Sequence, residues 1–232
     1  MNIAIMQPYF FPYIGYFQLM HRVDKFVVLD DVNYINRGWI NRNRLMLNGA
    51  AHFFTIPLKS ASQNKLICDL ELSDDRIWRV KLMRMVQHAY VKAPYFSITY
   101  PLFEQLISYS TTKLDEFLFH SIKEVASYLS IKTEIIKTSR IYKNSHLKGE
   151  ERILNICRQE NADTYFNLIG GINLYDKRHF LEHGIGLFFL NPRLVSYRQS
   201  KETFVPWLSI LDVLMFNDLN KINQLISESD TI

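Results

Sequence analysis

Two adjacent acids, Asp30 and Asp31, end an apolar run, and the segment that follows, as far as Asn48, holds five Asn, three Arg and no acid. Neighbours on a strand point to opposite faces, so the two acids form a face-sharing dyad only if the strand has already ended. One could act as a base or accept a sugar hydroxyl while the other caps or braces the loop; both as braces is the plainer alternative. Asp31 is the first choice, because in LDDVNY it leads directly into the Asn/Arg segment. That segment offers Asn33, Arg37, Trp39, Asn41, Arg42 and Asn43. Arginine forks match phosphate oxygens, asparagine amides match sugar hydroxyls or a uracil or guanine edge, and an indole stacks on a ring. The set suits a nucleotide-sugar, although the same Asn residues also form turns in a polar hairpin. Residues 32–68 carry Arg37, Arg42, Arg44, Lys59 and Lys65 without one acid, which points to an anionic ligand, with Arg42 as its chosen contact.

Two further groups belong with these. Gln7 closes the first apolar run and should face a cleft, and Tyr9, Phe10, Phe11, Tyr13, Tyr16 and Phe17 crowd the loop and turn after it. Most of these rings are core; Tyr9 and Tyr13 are the two expected at the loop mouth. Gly170-Gly171 follow the run YFNLI, with Asn167 before them and Tyr175-Asp176 after. Glycines there allow a tight turn or close approach of backbone to a ligand.

The elements that must position these residues alternate. Apolar patterning predicts strand Ile3–Met6, a helix over Ile14–His21 with Gly15 in its first turn, and strand Lys25–Leu29. A strand–helix–strand unit binds ligands where loops leave the carboxyl ends of its strands. A hairpin turning at Asn48-Gly49 joins a strand near Arg44–Leu47 to one over Ala51–Pro57. The alternation in LICDLELS suggests another strand, and Asp74-Asp75 should cap a helix over Arg76–Tyr90. Helices over Tyr100–Tyr109 and Lys113–Leu129 precede strand Glu134–Thr138. Helix Glu150–Glu160, strand Thr164–Leu168, short helix Lys177–Glu182, strand Gly186–Phe189 and a helical segment from Ser209 complete the chain, with Ser227–Ile232 frayed. The expectation is one α/β domain over 1–232: a three-layer, Rossmann-like, mostly parallel sheet with a helical insertion at about 76–130.

Composition removes several classes. Scarce Gly and Pro argue against disorder, and a net charge of +4 is too mild to imply nucleic acid. Cys68 and Cys157 lack metal spacing and read as buried thiols; His179 and His183 lack the Glu of a zinc-protease helix, so no metal site is expected. Serine-hydrolase, Walker and Gly-rich dinucleotide motifs do not occur in the sequence. No basic leader precedes the first strand and no apolar run approaches a membrane span, so a cytoplasmic protein without stable membrane insertion is expected.

In order along the chain stand QPYFFPYIGYFQL, DKFVVLDDV, RGWINRNR, NLIGGINLYD and SILDVLMFN. On these motifs the chain resembles the WbqC-like family over essentially its whole length. The family is associated with gene clusters for bacterial surface polysaccharides, O-antigen included, and some members are called glycine transferases. A second resemblance is to nucleotidyl transferases and pantothenate synthetase, where a His-x-Gly-His element opens the first helix and stabilises the phosphates of ATP. Tyr13-Ile14-Gly15-Tyr16 keeps the glycine and the spacing and has Tyr at both His positions. Phenols are neutral at pH 7, so a phosphate on the helix N-terminus is retained without the charge that helps pyrophosphate leave.

The resemblances imply a transferase of O-antigen biosynthesis that attaches an amino-acyl group such as glycyl, or an acyl group, to a nucleotide-linked amino sugar. Asp31 or Asp30 is the expected base; Arg42, Tyr13 and backbone amides of the first loop or the Gly170 turn are the expected oxyanion donors. ATP or an acyl or amino-acyl donor would be the co-substrate; no resident cofactor has a signature. The alternatives are a degenerate nucleotidyl transferase or ATP-dependent amino-acid ligase, and a non-catalytic nucleotide-sugar-binding subunit. Nothing in the sequence names the oligomeric state.

Overall fold

The computed structural model describes residues 1–73, 75, 77–193, 195–199 and 203–232. Its first strand, β1 (Asn2–Met6), runs into helix α1 (Ile14–Arg22) and returns as β2 (Lys25–Val28). β1 and β2 pair in parallel, Ile3 with Lys25 through Met6 with Val28, so the expected βαβ unit is present. A hairpin of β3 (Arg42–Leu47) and β4 (Ala50–Thr55) follows, and both turn residues, Asn48 and Gly49, have positive φ. That conformation belongs to the tight hairpin turns that Asn-Gly favours.

Next come β5 (Leu58–Lys59), β6 (Glu71–Leu72) and three helices, α2 (Ile77–Tyr90), α3 (Phe96–Ile107) and α4 (Leu114–Tyr128). LICDLELS is not one strand: Ile67–Asp69 form a 3-10 turn and only Glu71–Leu72 extend. The turn is imposed from outside, since Ile67 N–H donates to Val32 and Cys68 N–H to Asp30. Of the expected cap for α2, Asp74 and Arg76 lie outside the described residues, while Asp75 Oδ1 accepts from Ile77 N–H at 2.8 Å.

The chain re-enters the main sheet as β7 (Glu134–Ile136), crosses through α5 (Gly149–Gln159) to β8 (Thr164–Leu168), and through α6 (Lys177–Glu182) to β9 (Gly186–Pro192). Helices α7 (Ile210–Phe216) and α8 (Leu219–Ser227) precede β10 (Ser229–Thr231). Much of the segment expected to fray is this strand, antiparallel to β9. The sheet order is β10-β9-β8-β1-β2-β7, parallel except at β10.

Strand alternation divides the core between the two faces of the sheet. Ala4, Phe26 and Val28 pack with Tyr16, Phe17, Leu19 and Met20 of α1. Ile3, Ile5 and Val27 pack with Ile153, Leu154 and Ile156 of α5 and Phe180 of α6. The fold is therefore a three-layer, Rossmann-like α/β arrangement. From β1 the chain winds outward through β2 to β7, then resumes on the other side of β1 with β8 and β9. The winding reverses between β1 and β8, and in open α/β sheets that switch point is where ligands bind.

Candidate functional site

A cleft of about 380 Å³ lies at the switch point, walled by Tyr9, Pro12 and Tyr13 of the β1–α1 loop and Ile169 and Gly170 after β8. Trp39, Asn43, Arg44 and Trp207 complete it. The volume suits a small-molecule ligand. A Cβ on Gly170 would meet nothing within 4 Å, so backbone is open to the cleft there.

The β1–α1 loop is held in an unusual shape. Phe11 has φ +43, and Asn43 Nδ2 donates to the carbonyls of both Phe10 (3.0 Å) and Phe11 (2.6 Å). Ser209 Oγ also donates to Phe11 O at 2.9 Å. Asn43 Oδ1 accepts from Arg44 N–H, so its polar atoms are used in clamping the loop. Gly15 leaves room for the Tyr13 ring: a Cβ there would lie 2.7 Å from Tyr13 Cζ and from Pro192 Cγ. Tyr16 is fully buried and donates to Gln7 O at 3.1 Å. Gln7 itself is part-buried.

The two phenols at the cleft are donors. Burial pushes Tyr13 up to about 12 and raises Tyr9 as well, so both stay protonated at neutral pH. Unfolded tyrosine ionises at its ordinary value near 10, so the Tyr13 contribution to stability is full below pH 10 and is lost as pH rises towards about 12. Urea unfolding across that window, with tyrosinate absorbance on the folded protein, checks this. Ionisation of all the tyrosines near 10 in the folded state would contradict it.

Arg44 is the cation among the described residues that wall the cleft, whereas the sequence singled out Arg42. Arg44 stacks its guanidinium 5.4 Å from the Trp39 ring centre and donates from Nη2 to Trp207 O at 3.0 Å. Its Nε is buried without a hydrogen-bond partner. Arg42 lies on the same hairpin face, but Nε donates to Gly38 O (3.0 Å) and Nη2 to Arg37 O, with the guanidinium 4.6 Å over Phe53. Trp207, which no motif in the sequence singles out, sits at φ +58, an uncommon conformation for so large a residue. It packs edge-on to Tyr13 at 5.8 Å.

Asp30 and Asp31 stand one strand over, beyond the end of β2, and both are buried. Asp30 Oδ1 accepts from Thr138 Oγ1 (2.8 Å) and from Ser139 N–H (3.1 Å), and Oδ2 lies 3.2 Å from Arg140. Arg140 also pairs with Asp115 at 2.9 Å. Asp31 pairs with buried Arg152, which donates in addition to Asp31 O (3.1 Å) and Asn144 Oδ1 (3.1 Å). Ser139 Oγ reaches both carboxylates and can donate its proton to one at a time. In this geometry the acids tie β2 to the end of β7 and to α5.

The other sequence candidates are scattered. Asn41 is a brace, accepting from Tyr34 OH and donating to Ile56 O, each at 2.8 Å. Asn33 and Arg37 are exposed, outside the residues that wall the cleft. Lys59 lies on β5, 3.8 Å from Glu71. Asn167 accepts from Leu168 N–H at 2.7 Å, and a Cβ on Gly171 would come within 2.6 Å of its Nδ2. Tyr175 packs edge-on against Tyr165 and Phe180, beneath the opposite face of the sheet. Cys68 is half-buried beside Asp69, and burial pushes its thiol up to about 11, which leaves it protonated at neutral pH.

The profile of the WbqC-like protein family matches residues 7–224. An uncharacterized protein of Mycobacterium tuberculosis (strain ATCC 25618 / H37Rv) is 30% identical over 218 residues, covering 93% of this chain and 93% of that protein. No solved structure matches.

Proposed function

Since the chain belongs to the WbqC-like protein family, we propose that it is a transferase that places an amino-acyl or acyl group on the amine of a nucleotide-linked amino sugar. The family resemblance supports bacterial surface-polysaccharide and O-antigen biosynthesis as the pathway. The single observation that carries the ligand class is the switch-point cleft: two indoles, two neutral phenols and an arginine with an unpartnered Nε. Indoles take the flat base or the apolar face of a sugar, and the guanidinium takes phosphate oxygens.

In the reaction the amine nitrogen attacks the carbonyl carbon of an activated donor. The bond to the donor's leaving group breaks, and the amine's proton passes to a base. Tyr9 and Tyr13 would donate to the tetrahedral oxyanion. Asp30 or Asp31, beyond the end of the strand next to β1, is the expected base.

One observation favours a second reading, a non-catalytic nucleotide-sugar-binding subunit: no carboxylate is among the described residues that wall the cleft, and Asp30 and Asp31 are both engaged by arginines. Incubating the protein with nucleotide-linked amino sugars, glycine and ATP, followed by mass spectrometry of the sugar, separates the readings. Mass gained on the sugar from an activated donor supports transfer, and gain only with ATP supports a ligase. Saturable binding without mass gain would replace the transferase with the binding subunit.

A further inference from the structure

The segments that wall the cleft also expose large apolar side chains around its mouth. Trp39 and its stacking partner Phe53 (ring centres 6.0 Å apart) stand on one side with Ile35, Trp207 stands on another, and Ile172 follows two residues after Gly170. Each of the five is at least 41% exposed. Interleaved with them are Arg37, Arg42 and Arg44, and none of the three is in an ion pair among the described residues. The bonds that Arg42 and Arg44 make are to backbone carbonyls, which leave their charge uncompensated among the described residues. Trp39 stacks on Phe53 and shares the cleft wall with Trp207, so exposed apolar surface is gathered at this mouth, and a gathered apolar patch marks an interaction site.

We propose that this mouth docks on the surface of an anionic lipid bilayer, with the exposed edges of the indole and phenyl rings at headgroup depth and the Arg37 and Arg42 guanidinium groups against lipid phosphates. Aromatic rings beside arginines are the composition of an interfacial membrane contact. The uncompensated positive charge selects an anionic surface over a neutral one. Two other occupants fit less well. Single-stranded nucleic acid would stack on Trp39 and Phe53 but has no use for the aliphatic Ile35 and Ile172, and it needs a longer basic track. A second copy meeting through this face would bring like charges together across a two-fold axis. No helix among the described residues is long and apolar enough to cross a membrane, so the contact is peripheral. It does not depend on which reaction the cleft performs.

The test is co-sedimentation of the full chain with phosphatidylcholine vesicles with and without phosphatidylglycerol. Binding should require phosphatidylglycerol and fade at high salt, and Arg37→Gln should weaken it about fivefold, the effect of one charge near such a surface. Phe53→Ser, which removes an exposed ring, should weaken it at least as much at an unchanged melting temperature. If Phe53→Ser loses the fold, Arg37→Gln alone decides. Equal or absent sedimentation on the two vesicles overturns the proposal. So does saturable binding of a single-stranded oligonucleotide where vesicles fail, or a concentration-dependent dimer that Phe53→Ser abolishes.

Discussion

Arg152→Met is expected to lower the stability of the fold by about 3–5 kcal/mol, the usual consequence of removing one partner from a buried ion pair. Arg152 is 5% exposed and Asp31 is 7% exposed. The guanidinium donates to the Asp31 carboxylate, the Asp31 carbonyl and Asn144. Without it a carboxylate and a carbonyl stay buried with fewer donors, Ser139 Oγ among them. In a chain of this length such a loss should lower the melting temperature by roughly 10 °C. Combining Arg152→Met with Asp31→Asn should restore a large part of it, because the second change removes the stranded charge. A loss under about 1 kcal/mol, the scale of an exposed pair, would show that this pair is not a brace. The same variants examine the base. If Asp31 acts in catalysis, Asp31→Asn lowers turnover by about 100-fold beyond what its melting temperature explains. If it only braces, activity and stability fall together.

Arg44→Lys is expected to weaken a nucleoside-diphosphate amino sugar by about tenfold or more in a calorimetric titration, while Arg42→Lys changes affinity little. Lysine keeps the charge but loses the planar fork and the donor at Nε, and a hydrogen bond to a charged group is worth about 1.5–3 kcal/mol. Arg42 already spends its donors on Gly38 and Arg37 carbonyls and stacks on Phe53. Its replacement should appear instead as a stability loss of about 1 kcal/mol. The reverse ranking, with Arg42 carrying the affinity, would move the anion site out of the cleft and onto the outer hairpin.

The difference between these two arginines illustrates what the sequence could disclose. The hairpin was legible because Asn48-Gly49 and the flanking apolar runs are local signals. Arg42 and Arg44 share a face by simple alternation, but which one meets the cleft depends on Gly38 and Trp207. The acidic pair was legible as a polar strand end, yet its partner Arg152 lies 121 residues away and announces itself only as one charge on an amphipathic helix. LICDLELS alternates like a strand and was bent into a turn by Val32 and Asp30. Ser229–Thr231 has weak strand propensity and extends because β9 offers an open edge.

The reversal of winding at β1 also bears on how the protein assembles and opens. β1 meets β2 across a short connection, Ile3 pairing with Lys25, but its other edge waits for β8, where Asn2 pairs with Thr164. The first contact is local and closes early; the second closes a loop of most of the chain and is slow on entropic grounds. The molecule thus has a seam, and the cleft spans it, with Tyr13 on one bank and Gly170 on the other. A ligand seated there touches both banks, so its binding energy opposes sub-global separation of β8 and β9 from the rest. Occupancy then sets the lifetime of the seam as well as the chemistry performed across it.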